Sequence, residues 1–365
     1  MGPSPILVAA LAIAACSAGP ASPSSERRSS YLGFTPMPEV MFGPTPPTTG
    51  AILRDNADLV LHHLEDALPW NEAATGAALP QSLQASWQGR LAGTPAGHAV
   101  YVAATPLSFG RDGMGQAWGP NGPTPRQPPW DTVSFDNPAA IRAYLAYCRE
   151  LLRVFRPRYF AYAVEANMLA QNAPELWPGF LRLSDTVYHA LAREHPGTPI
   201  FATVQGDFYH RNPGAQEEPV RAVLERSDVV AISTYAFIDY PAPETLPAEY
   251  FSRLRALGPG KDWAIAETSW PAEPLGPPLP AVVPASEAAQ ATYLERLLVE
   301  ANAGDAVFVN WFFPRDYDYA WEREYRHGPA AALYRIWRDT GLWAGDGTPR
   351  TALASWRRWL EKPRD

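Results

Sequence analysis

Lysine is nearly missing from this chain: of 365 residues only Lys261 and Lys362 are lysines, the other basic residues are arginines, and no stretch is densely basic. With a formal net charge of −8, the sequence lacks the basic clustering that drives nucleic-acid binding, so no nucleic-acid partner is expected. Cys16 and Cys148 are the only cysteines, too few for a disulfide scaffold. No G-x-G-x-x-G turn follows the first apolar run, and neither G-x-S-x-G nor H-E-x-x-H occurs. Dinucleotide binding, serine-hydrolase chemistry and zinc-peptidase chemistry therefore lack their sequence signals. What the chain does have is 46% apolar residues, enough for a large core, with 40 prolines, 13 tryptophans, 16 tyrosines and 14 phenylalanines.

Residues 6–15, ILVAALAIAA, form an apolar run well short of the roughly 20 residues a membrane-spanning helix needs. The run ends in Ile13-Ala14-Ala15-Cys16, which resembles the bacterial lipobox, where cleavage leaves a cysteine to be acylated. Residues 1–16 are thus expected to be an export signal and residues 17–30, rich in Ser, Pro and Ala, a tether. An exported, lipid-anchored protein on Cys16 is the first expectation, and a plainly secreted or periplasmic one the second. Cys148 sits in the helical pattern IRAYLAYCRELLRVF and reads as a small buried hydrophobe.

From residue 31 to 361 a short apolar run, a loop and a helical pattern recur. The runs cover 31–37, 57–65, 99–107, 159–167, 199–207, 228–236, 262–270 and 306–314. Asn137-Pro138 opens one helix with a cap and a first-turn proline, and Gly304 closes another. Eight strands alternating with helices predict an α/β chain folded as a single (β/α)8 TIM barrel with enlarged βα loops. The segment 106–137, proline-rich and carrying Trp118 and Trp130, is too long for a plain connection and reads as a wall of the cleft.

Functional groups of such a barrel gather where strands end. In the fourth run, the two-residue period places Ala161, Ala163 and Glu165 on one face; in the seventh it places Trp263, Ile265 and Glu267 together. Both glutamates are expected to point into the mouth. An ion pair at the rim would explain one buried glutamate; two, on strands four and seven, favour catalysis.

Acids after strands four and seven resemble the clan A retaining glycoside hydrolases. The stretch Ala264-Ile265-Ala266-Glu267-Thr268-Ser269-Trp270-Pro271 is similar to the nucleophile strand of plant-type β-1,3-glucanases, E-T-G-W-P, with Ser269 in place of the glycine. The resemblance implies that Glu267 is the nucleophile and Glu165 the acid/base, that Tyr235 hydrogen-bonds the nucleophile, and that Trp311, in Asn310-Trp311, floors the sugar site. The clan's Asn before the acid/base is replaced by Val164, so Asn167, from Glu165-Ala166-Asn167, is the candidate to hold a sugar hydroxyl.

In His62-His63-Leu64-Glu65-Asp66, neighbouring residues face opposite sides of a strand, so the two histidines cannot share a metal. No metal or other cofactor is expected; His63 and Asp66 are candidates to bind substrate or a rim carboxylate. Trp118, Trp130, Trp270, Trp311 and Trp321 lie by the upper loops, where an indole suits the apolar face of a pyranose; Trp337, Trp356 and Trp359 read as ordinary packing. The chain is thus expected to be a monomeric enzyme acting on a poly- or oligosaccharide. The alternative is a non-catalytic, carbohydrate-binding envelope lipoprotein with a degenerate barrel, which the Val164 departure favours.

Overall fold

The computed structural model describes residues 27–65, 67–280 and 282–365. The expectations on Cys16 and Asp66 lie outside the described residues. Eight parallel strands, β1 (Tyr31–Phe34), β2 (Leu59–Leu64), β3 (Ala99–Ala104), β4 (Tyr159–Ala163), β5 (Ile200–Gln205), β6 (Val229–Thr234), β7 (Asp262–Thr268) and β8 (Phe308–Trp311), pair in sequence order and close where β8 meets β1. Helices including Thr49–Asn56, Gln81–Ala92, Pro138–Phe155, Trp177–Glu194, Pro213–Leu224 and Glu287–Ala303 return the chain between strands. This is the predicted (β/α)8 barrel.

Local chemistry explains the returning helices. Asn137 caps its helix by accepting from the Ala139 N–H at 2.8 Å, with Pro138 in the first turn, and Ser286 accepts from the Ala289 N–H at 3.1 Å. Helix Pro138–Phe155 buries Ala140, Ala143, Tyr144, Tyr147, Cys148 and Leu151, a stripe at the three-and-four spacing of one helical face. Each large side chain of that stripe contributes about 1.5–3 kcal/mol of burial free energy. Gly304 does end a helix, but with φ −101°. Its need for glycine is space: a Cβ there would lie 3.0 Å from the Trp263 ring.

The barrel interior is filled from alternate positions, Leu59 and Leu61, Tyr101 and Ala103, Val229 and Ala231, with Phe201 and Phe308. The same alternation continues upward to the mouth. Leu61 leads to His63 and Glu65, Ala231 to Ser233 and Tyr235, and Phe308 to Asn310 and Phe312.

Strands β4 and β7 break this rhythm. On β4, Ala161 pairs with Phe201 but Ala163 with Ala202, leaving Tyr162 as an extra residue. Ala161 and Val164 therefore fill the interior while Ala163 packs outward. On β7, Ile265 pairs with Ile232 but Glu267 with Ser233, so Ala266 is extra. Ala264 and Ala266 face inward, and Trp263 and Ile265 face the helices, the reverse of the expected face. These are β-bulges, which bend a strand and re-aim the side chain that follows. Each of the two precedes one of the glutamates.

At the opposite pole, where the strands begin, the two ends of the described chain meet. Arg28 bridges to Arg364, donates its N–H to the Pro363 carbonyl at 3.0 Å, and pairs with Asp58 at 2.7 Å. Asp58 in turn accepts from the Leu32 N–H at 2.7 Å, tying the junction to the foot of β1.

Candidate active site

A cleft of about 1070 Å³ opens at the strand C-terminal ends, and both Glu165 and Glu267 line it. Glu267 is 4% exposed. His63 Nε2 donates to its Oε1 at 3.0 Å and the Tyr235 hydroxyl to its Oε2 at 3.1 Å. Tyr235 is itself positioned from below, because Asp207 accepts its backbone N–H at 2.8 Å. Asp207 also takes hydrogen bonds from Thr234 and Tyr250.

Glu165 is held differently. Its backbone N–H donates to Thr203 Oγ1 at 2.8 Å and its carboxylate accepts from Arg111 Nη2 at 3.1 Å. The same nitrogen donates to Glu65 at 2.6 Å, and Glu65 lies 3.9 Å from His63 Nδ1. One chain of contacts, Glu165–Arg111–Glu65–His63–Glu267, thus joins the two acids. Arg111 and Glu165 both have left-handed backbone, with φ 55° and 51°. A non-glycine residue held there costs about 1–3 kcal/mol and persists only where its surroundings impose it.

The network separates the two glutamates electrostatically. Burial pushes the Glu165 carboxyl up to about 8, with Glu267 and Glu65 adding to the effect and Arg111 and His63 opposing it. Burial works against the Glu267 charge as well, yet His63, Arg111 and the Tyr235 hydroxyl together hold its carboxyl below the ordinary range. Burial disfavours the His63 imidazolium, but Glu267 and Glu65 outweigh it and raise the ring to about 9. The surroundings therefore favour the protonated form of Glu165 and the ionised form of Glu267.

Three expectations are corrected. Trp311 is wholly buried outside the barrel sheet, its indole N–H donating to the Thr340 carbonyl at 2.9 Å. Phe308 takes the inward face of β8, so Phe312 reaches the cleft instead, with its ring 5.6 Å from His63 and 6.0 Å from Tyr235. Trp270 is also wholly buried, between Phe237 and Tyr293. Asn167 is sealed beneath the site: its Oδ1 accepts from the Gln205 N–H at 2.7 Å, and its Nδ2 donates to the Gln205 carbonyl and Gln216. No atom of that amide is left for a sugar.

His63, Tyr235, Glu165 and Glu267 do converge, as the sequence led one to expect, and His62 points away to Thr94. Sequence reasoning missed Arg111, Glu65, Phe312 and Trp337, all of which line the cleft. Glu65 was open to discovery by its alternation with Leu61 and His63. Arg111 carried no signal, being one arginine in a long loop. Trp130, a candidate for stacking on sugar, instead stacks on Trp70 at 5.8 Å beneath the loop wall.

Neither a protein-family model nor a curated protein sequence matches the chain. Solved structures do. The GH53 catalytic domain of Ignisphaera aggregans is 15% identical, over 90% of this chain and 91% of that one, with a TM-score of 0.56. A GH5_18 protein from Streptomyces cattleya, in complex with Manβ1-4GlcNAc, is 14% identical over 92% and 83%, with a TM-score of 0.61. The glycoside hydrolase family 17 β-1,3-glucanosyltransferase of Rhizomucor miehei is 14% identical over 89% and 96%, with a TM-score of 0.50. These belong to clan A of the glycoside hydrolases, and the chain has their fold.

Proposed function

We propose that this chain is a glycoside hydrolase that cleaves with retention of configuration. The observation carrying the reading is the placement of Glu165 and Glu267 in one cleft, at the ends of β4 and β7, with Glu267 held by His63 and Tyr235; burial favouring the proton on Glu165, and His63 favouring the charge on Glu267, support it. In the first step the Glu267 carboxylate attacks the anomeric carbon as the bond to the leaving oxygen breaks, and that oxygen takes the Glu165 proton. In the second, the Glu165 carboxylate removes a proton from water, whose oxygen attacks the same carbon and releases Glu267. Tyr235 and His63 keep the nucleophile charged and oriented until it reacts. The substrate is a carbohydrate; the fold alone does not name the sugar.

A second reading, a carbohydrate-binding barrel without turnover, is favoured by the contact of Arg111 Nη2 with the Glu165 carboxyl at 3.1 Å, which stabilises the charged form over the acid, and by Val164, which fills the barrel interior where the clan carries its Asn. Proton NMR during hydrolysis of a panel of aryl glycosides separates the possibilities. Retention is expected: the first sugar released has the anomeric configuration of the substrate. Release of the opposite anomer would overturn the two-step mechanism, and release from none of the panel would favour the binding barrel.

We further propose export with a lipid tether on Cys16. In a bacterial host, Cys16→Ser is expected to move the protein from the membrane fraction to the soluble one. An unchanged distribution would remove the anchor.

A further inference from the structure

The leaving group of a glycoside must lie against the acid that protonates it, so the half of the mouth around Glu165 is where that group rests. That half is built by the segments following β3, β4, β5 and β6. They present Phe109, Met168, Phe208 and Ile238 to the cleft. Phe109 is 51% exposed and Ile238 42% exposed, among the few large apolar side chains of the described residues left so open to water.

Two of the polar side chains interspersed with them, Gln205 and Arg211, already hold protein partners. Gln205 donates through Nε2 to Asp207 at 2.8 Å and accepts through Oε1 from the Phe208 N–H at 2.9 Å. The Arg211 guanidinium donates to Asp239 at 2.8 Å and lies 5.6 Å from the centre of the Phe208 ring. A second sugar seated here would bring several hydroxyls against Phe109, Met168, Phe208 and Ile238, which offer them no partner, and each hydroxyl desolvated without one weakens binding. An alkyl or aryl group would instead remove apolar side chains from water.

We propose, resting on the hydrolase reading, that the substrate class is a glycoside with an apolar aglycone, an alkyl or aryl group occupying the leaving-group side in place of another sugar. Phe109 and Ile238 are the specificity-determining side chains. Because both side chains are exposed and lie outside the barrel strands, replacing them leaves the barrel core intact.

The test compares methyl with n-octyl glycosides of glucose, mannose and galactose, in both anomeric forms, using the full chain. For the sugar that is hydrolysed, kcat/KM is expected to be at least about 10-fold higher for the octyl than for the methyl glycoside, within the discrimination an apolar pocket achieves. In Phe109→Ser and in Ile238→Ser that ratio is expected to fall towards one. Equal rates for the two chain lengths, or faster cleavage of a disaccharide of the same sugar than of its octyl glycoside, would overturn the proposal while leaving hydrolysis established. Calorimetric titration of Glu165→Gln with the same glycosides reads the site without turnover. Octyl binding about 10-fold tighter than methyl supports the apolar side even if no glycoside is cleaved. Equal binding overturns it.

Discussion

Glu267→Gln is expected to lower kcat by roughly 10⁴-fold or more on every glycoside the protein cleaves, as loss of a nucleophile does elsewhere. The amide keeps the size of the carboxylate but has neither its charge nor its capacity to form a glycosyl ester. The same substitution has a consequence that loss of activity alone would not reveal. Glu267 is the largest influence raising His63; with it gone, burial favours the neutral ring. His63, held at about 9 in the wild type, is then expected to titrate substantially lower. NMR titration of the imidazole, alongside single-turnover kinetics, checks both halves. Activity within 10-fold of wild type would sink the nucleophile assignment, whatever His63 does.

Glu165→Gln should fail selectively. The raised carboxyl near 8 means that Glu165 carries its proton below that pH and loses it above, so wild-type activity falls as pH rises through about 8. Glu267 is held below its ordinary range, so its charge, and with it activity, is lost only on the acid side. The wild-type profile is thus a bell with Glu267 on the acidic limb and Glu165 on the basic one. In the variant the limb near 8 disappears, and any remaining fall at higher pH is that of His63, held at about 9. Alkyl glycosides, whose leaving oxygen needs a proton, are expected to slow by about 10²–10⁴-fold; for nitrophenyl glycosides the glycosylation step should change far less. A variant that retains the limb near 8, or slows all leaving groups alike, would assign the acid to a different group.

The barrel was legible because its signal is repeated: eight alternations of apolar run and helical pattern outweigh an error in any one of them. The site was legible in part, and for β7 by a faulty route. Simple alternation grouped Glu267 with Trp263 and Ile265, whereas those two face the helices and Glu267 enters the cleft through the extra residue Ala266. A bulge leaves no mark in the local sequence, since it arises from pairing with a neighbouring strand. The error on β8 is of another kind. Phe308 and Phe312 on one face, with Asn310 between them, and Val307, Val309 and Trp311 on the other are both apolar enough to pack, so the pattern could not choose a face; the barrel interior chose Phe308. Arg111 lay beyond local reasoning altogether, because its meaning depends on Glu65 and Glu165, 46 and 54 positions away.

The meeting of Arg28 with Pro363 and Arg364 at the foot of the strands bears on how the molecule would stand on a surface. Anything joined upstream of Arg27, or to the carboxyl end at Asp365, departs from the pole opposite the cleft. An attachment at either end would therefore leave the cleft unobstructed, the opening lying at the far pole of the barrel.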